Sequence, residues 1–311
     1  MYQYILRRII LTVPVILGVS VIVFAIIRFI PGDPARAIAG VQATPQYIEQ
    51  VRVRYGLDQP LHVQYGLFAS GVIRGDLGQS TFSRRPVAAE IGERFPRTML
   101  LASLSLIVAT LVGVSAGIVS STRRNSMFDN ISMILALVGV AAPVFWLALM
   151  FQLFFSVQLG MLPATGIGTW RHVILPSITL GLASAALMAR ITRSSMLDVL
   201  RQDFITTARA KGLGERIVIY KHALKNALIP VVTVLGLQFG ILLGGAVLTE
   251  TVFAWPGIGR LLVDAILRRD YPVVQGTILF LAFLFVLINL IVDIIYAYLD
   301  PRIHYQGGSG E

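Results

Sequence analysis

The sequence predicts an all-α membrane protein with six transmembrane helices, and two observations predict this fold class. The chain of 311 residues is 56% hydrophobic and only 14% charged, with a mean hydropathy of +0.76, which lies outside the soluble globular class. The chain also contains long windows without Asp, Glu, Lys or Arg, and a transmembrane helix needs about 20 mostly apolar residues. These windows are residues 9–27, 98–122, 130–170, 172–189, 226–249 and 271–292.

The third of these windows, with 41 residues, is too long for one transmembrane helix. Its second half contains Gly160, Pro163, Gly166 and Gly168, which interrupt helices and favour turns. The span is therefore predicted to end near Val157 and to be followed by a turn outside the cell. Each of the other windows predicts one helix, so the predicted count is six.

The charges of the short loops predict the orientation of the spans. Residues 190–225, between the fourth and fifth spans, contain eight Lys or Arg against three acids. Arginine pairs also precede the first span and follow the second, at positions 7–8 and 123–124. Because short loops rich in Lys and Arg stay in the cytoplasm, both termini and the 190–225 loop are predicted to be cytoplasmic. The net charge of +10 therefore reflects topology, and no nucleic-acid partner is predicted.

The predicted organisation has one sizeable extramembrane segment, in which eight Arg nearly balance six acids. The segment is too short for an independent domain with a large core, so it is expected to be a lid or dock, or else a solvated connector. The first span lacks a small-residue cleavage site, which predicts a retained helix rather than a signal peptide. The predicted divisions are a cytoplasmic N-terminus (1–8), a first span (9–30), the extracytoplasmic segment (31–97), a five-helix core (98–305) and a linker-like tail (306–311).

The sequence pattern predicts no catalytic residue, metal site or cofactor on this chain. There are no cysteines, the four histidines are scattered, and no glycine-rich phosphate loop with lysine is present. The run Gly113-Val-Ser115-Ala-Gly117 matches the Gly-x-Ser-x-Gly pattern of serine hydrolases. That motif needs a strand–turn–helix context and a histidine partner, whereas this run lies in the middle of a span. Close packing between helices explains its small residues better.

The fifth span contains Gly236, Gly240 and Gly244 at four-residue spacing, with Gly245 adjacent. This spacing places small residues along one helix face and permits the close approach of another helix. The face is expected to serve either packing within the chain or an interface with another subunit.

Four residues are candidates for a transport pathway or gate. Gly139 and Pro143 predict a kink in the third span, because proline lacks the amide that a straight helix requires. Asn289 and Asp293 lie in the sixth span, where an acid is a functional candidate. Asp293 is also close to the cytoplasmic end of its span, so a hydrated or helix-capping role is the alternative.

A short helix is predicted within the cytoplasmic loop. Asp203 is expected to cap a helix over Phe204–Ala210, and Lys211 followed by Gly212 is expected to end it. A basic segment of this kind, placed between two spans, is accessible to proteins inside the cell.

The composition of that helix is typical of a docking surface. Phe204 offers a bulky anchor, while Thr207, Ala208 and Ala210 offer small side chains, and such a helix fits a groove on a partner protein. The alternative is a helix that lies on the bilayer surface and is attracted to anionic lipid by its Arg and Lys.

Motifs along most of the chain resemble those of a known family. The runs Thr206-Thr207-Ala208-Arg-Ala-Lys-Gly212-Leu213 and His222–Pro230 resemble the ATPase-coupling loop in the membrane subunits of binding-protein-dependent ABC importers, dipeptide/oligopeptide/nickel group. The general loop pattern begins Glu-Ala-Ala, whereas this chain has Thr-Thr-Ala at the same place. The spacing from Gly212 to Pro230 is also longer in this chain than in the general pattern. Both departures resemble the peptide group. Further matches, in the family's order, are Pro31–Pro34, Tyr55–Pro60, Gly75–Ser80, Leu175–Gly181, Glu250–Gly259 and Asp270–Gln275.

The resemblance implies a type I ABC importer permease fold and a role as one half of a heterodimeric pore in the bacterial cytoplasmic (inner) membrane. The implied partners are a homologous second permease, two cytoplasmic ATPases that hold ATP and Mg, and an extracytoplasmic substrate-binding protein. The resemblance is greatest to the first permease subunit of dipeptide and glutathione importers, which implies small peptides as cargo. Nickel complexes or other small solutes are the alternative cargo, and a stand-alone secondary carrier is the alternative class. The implied coupling-loop residues are Asp203, Phe204, Thr206, Thr207, Ala208, Ala210, Gly212 and Leu213.

Overall fold

The computed structural model describes residues 2–29, 33–39, 43–54 and 56–299, and the regular elements in these ranges are helices. The predicted tail at 306–311 lies outside the described residues, as do parts of the Pro31–Pro34 and Tyr55–Pro60 motifs. In chain order the α-helices are α1 (Tyr2–Phe29), α2 (Pro34–Ala39), α3 (Pro45–Arg54), α4 (Leu61–Ile73), α5 (Val87–Thr122), α6 (Met127–Ala141), α7 (Val144–Phe151), α8 (Ile174–Leu200), α9 (Asp203–Ala210), α10 (Glu215–Ile217), α11 (Leu224–Gly245), α12 (Val247–Val252), α13 (Ile258–Arg268) and α14 (Tyr271–Leu299). Two π-helical segments, Gln152–Gln158 and Val218–Ala223, and a 3-10 turn, Trp170–Val173, complete the helical elements of the described ranges.

Five helical stretches of the described chain are long and apolar enough to cross a membrane, and they correspond to five of the six predicted spans. Several continue beyond the charge-free windows, because a helix extends into the interface wherever its polar residues reach water. The five stretches are Arg8–Ala25, Val87–Thr122, Trp170–Leu200, Glu215–Gly244 and Tyr271–Ile295.

The remaining predicted span is sharply bent. Met127–Ala141 and Val144–Gln158 meet at an angle of 104°, with extended backbone at Ala142 (φ −72°, ψ 129°). Pro143 explains the break, because it has no N–H for the helix ladder and restricts the residue before it. The kink predicted in the third span is therefore present.

Contacts at both ends of the bent pair show that it runs from one end of the bundle to the other. Asp129 in α6 is ion-paired with Arg193, near the C-terminal end of α8. Gly166, beyond α7, donates its N–H to the carbonyl of Phe253 at 2.8 Å, and Phe253 is buried against Leu175 at the start of α8. Because α8 connects these two places, the bent pair reaches from one end of the bundle to the other; counted as one span, it brings the crossings of the described chain to six.

Glycines bring α5 and α8 into close contact. A β-carbon on Gly113 would lie 2.6 Å from the carbonyl oxygen of Ala185, and one on Gly117 would lie 2.7 Å from that of Ala189. Such approach is possible only without side chains at these two positions. The packing explanation for the Gly113–Gly117 run is confirmed, and the Ser115 side chain between them faces outward as an exposed residue.

Two of the four glycines of the fifth span pack within the chain. A β-carbon on Gly236 would overlap Val292 of α14, and one on Gly240 would lie 3.4 Å from Ile288. The order of these contacts makes α11 and α14 antiparallel neighbours. The other two are Gly244, which has open space beside it within the described chain, and Gly245, the last residue of α11.

The short helix α9 distinguishes the two ends of the bundle, named here the α9 end and the opposite end. The end of α8 and the start of α11 contact α9, and the antiparallel arrangement places the end of α14 beside the start of α11. Arg8 near the start of α1 is ion-paired with Asp293 of α14 at 2.8 Å. The first part of α1 therefore lies at the α9 end, and residues 33–86, which follow α1, begin at the opposite end.

Candidate functional site

The inner face of α9 packs against two spans. Ile205 and Ala208 are buried, and a separation of three residues places them on the same side of a helix. They join an apolar cluster that includes the end of α8 and the start of α11, so α9 is attached to both. The other buried members of this cluster are Met196, Val199, Val218, Ala223 and Ala227.

The outer face of α9 is exposed. Ala208, which was expected among the docking residues, is buried on the inner face in the described chain. The reason is helix periodicity, which groups Ala208 with Ile205 rather than with its neighbour in sequence. Ile205 itself was missed, although it is one of only two large apolar side chains in a helix whose other side chains are polar or small. The predicted docking residues that are exposed are Phe204, Thr206, Thr207, Ala210 and Leu213.

The two ends of α9 differ in how well the sequence predicted them. Asp203 is the first helical residue rather than the cap, which is Gln202 and makes no side-chain capping bond; the carboxylate still lies favourably in the first turn. Gly212 has a φ of +76°, the left-handed conformation in which glycine commonly ends a helix. Open space surrounds its α-carbon in the described chain, so this turn is accessible to a partner.

An ion pair closes the turn after α9. Arg209 Nη2 donates to Glu215 Oε1 at 2.7 Å, and its Nε donates to Oε2 at 3.2 Å. The hydrogen bonds that Arg209 donates to Glu215 raise the pKa of the already basic Arg209 guanidinium. The pair holds α9 and α10 together around Gly212.

A buried ion pair joins three helices close to α9, and the sequence analysis missed it. Asp129, at the start of α6, accepts hydrogen bonds from Arg193 of α8 at 2.7 and 2.8 Å. It also accepts from the hydroxyl of Ser120 in α5 and from the N–H of Asn125. The Asp129 side chain is 2% exposed and that of Arg193 is 25% exposed, so the carboxylate is the partner that is shielded from water. We call this group the α5–α6–α8 clamp; sequence spacing gives no indication of it, because its partners are 64 and 73 residues apart.

A buried acid at the opposite end was also missed. Glu250 accepts from Thr98 of α5 at 2.7 Å and from the N–H of Arg260, in the first turn of α13, at 3.1 Å. A β-carbon on Gly257 would overlap its carboxylate, which explains a glycine at that position. Burial raises the pKa of the Glu250 carboxyl above its ordinary value, and the hydrogen bonds from Thr98 and from the N–H groups of Arg260 and Gly259 oppose that rise. Glu250 thus joins α12 to α5 and α13.

The four pathway candidates have separate neighbours. Gly139 packs on α8, and Pro143 is at the bend between α6 and α7. The Oδ1 atom of Asn289 is buried without a hydrogen-bond partner among the described residues. Asp293 is ion-paired with Arg8 and is half-buried, which is an alternative to the hydrated or capping role expected for it.

The charged side chains described above serve as contacts between helices. No group of three or more His, Asp or Glu in the described ranges is arranged to hold a metal ion. The charged groups around Asp129 and Glu250 instead connect helices to one another. The arrangement provides spans that are linked to an exposed helix at one end.

Comparisons with known proteins place these elements in one family. The sequence profile of the binding-protein-dependent transport system inner membrane component matches residues 109–305, and the N-terminal profile of such membrane components matches residues 1–102. The dipeptide transport system permease protein DppB of Alkalihalophilus pseudofirmus is 50% identical, over 98% of this chain and 100% of that protein. The glutathione transport system permease protein GsiC of Escherichia coli K12 has the same identity and coverage.

A solved structure has the same fold at low identity. The inward-facing MetNI methionine ABC transporter superposes with a TM-score of 0.59 at 19% identity, over 68% of this chain and 96% of that one. The chain therefore belongs to the binding-protein-dependent transport system inner membrane components, and it is a multi-pass membrane-spanning permease subunit of an ABC importer, with the type I fold and no catalytic role of its own.

Proposed function

We propose that this chain forms one half of the pore of an ATP-driven importer of small peptides in the bacterial cytoplasmic membrane. Two relatives that match it along their whole length at 50% identity are named as dipeptide and glutathione transport permeases. Both cargoes are short peptides with charged ends. A short peptide is therefore the cargo class that the relatives support.

The observation that carries the proposal is the two-sided arrangement of α9. Its inner face is buried against the ends of α8 and α11, while its outer face presents Phe204 and small side chains to solvent. A helix with a fixed inner face and a free outer face can receive a push from a partner protein and pass it on. We assign the outer face to a cytoplasmic ATPase subunit that holds ATP and Mg.

The contacts within the bundle provide a route for that push. Movement of α9 carries the ends of α8 and α11, because their side chains share one cluster. A movement of α8 is passed to α5 through the close contacts at Gly113 and Gly117. It is passed to α6 through the Asp129–Arg193 ion pair. A rigid group of linked helices that moves against the rest of a pore is a two-state element, which a ligand on another subunit can bias.

We assign the opposite end to the substrate-binding protein. There Asp270 accepts from Ser80 at 2.5 Å and from the N–H of Thr81 at 3.1 Å, which fixes the loop before α5 to the start of α14. Beside this loop is a cavity of about 230 Å³ whose charged side chains have both signs, and a partner with the complementary arrangement of charges would fit it. Its charged lining includes Arg85, Glu93, Arg94, Asp264 and Arg268.

Purification in mild detergent from native membranes tests the proposal. Mass spectrometry of the purified complex should find a second permease, ATPase subunits and a binding protein, together with a bound short peptide. Recovery of the same subunits with a nickel complex would leave the importer class intact and reject the peptide cargo. A single chain that transports without any ATPase would reject the assigned mechanism.

A further inference from the structure

The helix α4 has an unusual composition for a segment outside the six crossings. Its 13 residues, Leu61–Ile73, contain no charged side chain, and none of them is buried in the described protein. An apolar helix that buries no side chain in protein has no stabilising core of its own. A charge-free stretch of this length is also shorter than a bilayer-spanning helix and is typical of interfacial or re-entrant segments.

The contacts of α4 place it beside a span. Tyr65 and Ser20 of α1 share a hydrogen bond of 2.8 Å between their hydroxyl oxygens. Phe24 of α1 packs against Tyr65 and Phe68, with ring centroids 5.4 and 5.8 Å apart. Ser20 and Phe24 belong to the apolar stretch Arg8–Ala25 that is suited to cross the membrane. α4 therefore lies at the depth of the second half of α1, towards the opposite end.

Apart from Tyr65, the polar side chains of α4 are His62, Gln64 and Ser70, and most of its other exposed side chains are apolar. Leu61 is 63% exposed, Leu67 57% and Ile73 86%. The exposed apolar side chains Leu17 and Val21 of α1 lie three residues before Ser20 and Phe24, the two residues that α4 contacts. Exposed apolar patches of this kind mark a membrane or protein contact. The position beside the exposed apolar side chains of a span, together with the absence of Asp, Glu, Lys and Arg, favours acyl chains over a protein partner.

We propose that α4 is embedded in the membrane leaflet at the opposite end, with its apolar side among the lipid acyl chains. The charges that flank it, Asp58 on one side and Arg74 and Asp76 on the other, remain in water. The segment before α5 is thus anchored to the bilayer rather than suspended above it. In this arrangement the helices α2 and α3 of the same segment lie close to the membrane. The proposal does not depend on which cargo the importer carries.

Spin labels on single cysteines test this inference, because the natural chain contains no cysteine. Leu67→Cys and Ile73→Cys are labelled with a nitroxide in the full-length chain, within the complex in which it purifies and after reconstitution into liposomes. Collision with oxygen, which concentrates in lipid, is compared with collision with a water-soluble nickel chelate. Leu17→Cys in α1 is the lipid control, and Val53→Cys in the charged helix α3 is the water control; both side chains are exposed.

We expect the Leu67 and Ile73 labels to match the Leu17 label, with oxygen collisions dominant and nickel collisions several-fold fewer than at Val53. Nickel accessibility equal to that at Val53 would overturn the proposal. Exclusion of both reagents would also overturn it, because that result means a protein covers α4. Two independent label positions keep the test decisive if one variant fails to assemble, and neither result depends on transport or cargo.

Discussion

At the residue scale, the buried acids of this protein are held by partners from other helices. Asp129 accepts hydrogen bonds from four donors on three residues, namely the hydroxyl of Ser120, the N–H of Asn125, and Nε and Nη2 of Arg193, and Arg193 supplies the opposite charge. Removing one partner of a buried pair leaves an uncompensated charge, which costs far more than the pair itself contributes. The α5–α6–α8 clamp therefore specifies how three helices meet, and it is sensitive to single substitutions.

Arg193→Met is expected to lower the free energy of unfolding by about 3–5 kcal/mol, because Asp129 stays buried without its cation. The double variant Asp129→Leu with Arg193→Met should recover most of that loss, since both charges are then absent. The control Arg209→Met breaks an exposed pair and should cost at most about 1 kcal/mol. Thermal unfolding in detergent measures all three; a double variant as unstable as the single one would contradict the role given to the clamp.

Glu250 is expected to make stability depend on pH. Burial raises the pKa of its carboxyl above the ordinary value of 4.5, so the folded protein keeps a proton that the unfolded chain loses. Its contribution to the free energy of unfolding is therefore complete below the ordinary pKa and falls as pH rises through the folded pKa. The free energy of unfolding, measured from pH values below the ordinary pKa to values above the folded pKa, should fall in the unsubstituted protein. The fall should be smaller in the Glu250→Gln variant. Parallel profiles would argue against the buried acid as its source.

At the scale of elements, α9 is attached to two spans on its inner side and exposes the proposed docking face on its outer side. Ile205 is fully buried in the cluster with α8 and α11, whereas Phe204, the residue before it, is exposed. Neighbours in sequence point about 100° apart around a helix, which explains how adjacent residues serve different partners. Substitutions one residue apart in α9 are therefore expected to have different effects, one on stability and the other on partner binding.

Ile205→Ala is expected to lower the free energy of unfolding by about 2–5 kcal/mol, because it leaves a cavity in the cluster. Phe204→Ala should change stability by less than about 0.5 kcal/mol, yet weaken ATPase binding tenfold or more as an exposed aromatic anchor is lost. Unfolding in detergent and co-purification of the ATPase separate the two effects. Normal ATPase association by a stable Phe204→Ala chain would remove this residue from the docking surface.

At the scale of the whole molecule, the six crossings place the candidate partner sites at opposite ends of the bundle. α9 and the clamp lie at one end, while Glu250, the 80–82 loop and the beginning of the extramembrane segment lie at the other. The bent α6–α7 pair is essential to this separation, because it returns the chain to the opposite end before α8. A transporter needs this polarity, since cargo and ATP arrive from different sides of the membrane.

Site-directed labelling of the naturally cysteine-free chain tests the polarity. Leu213→Cys, beyond α9, should react with a membrane-impermeant maleimide only in inside-out vesicles. Gln46→Cys in α3 and Ile167→Cys beyond α7 should react only from the outside of intact cells. These three side chains are exposed in the structure. Labelling of Ile167→Cys from the cytoplasmic side would reject the bent pair as a complete crossing.

The sequence alone determined the membrane class, the number of spans, the bend at Pro143 and the glycine at the end of α9. These features depend on the composition or conformational limits of a few consecutive residues, which a sequence displays directly. The family resemblance likewise depended on short motifs that remain contiguous along the chain.

Only the tertiary structure decided which residues meet across the bundle. The Asp129–Arg193 pair and the Glu250 group bring together residues from different helices, and no local pattern encodes such contacts. Helix periodicity places Ile205 and Ala208 on one face of α9, but only the packing shows which spans cover that face. The same holds for α4, whose sequence is merely apolar until its contact with α1 places it beside a span. Local physics fixes the helices, whereas the functional surfaces arise from their packing, because burial and pairing depend on neighbours distant in sequence.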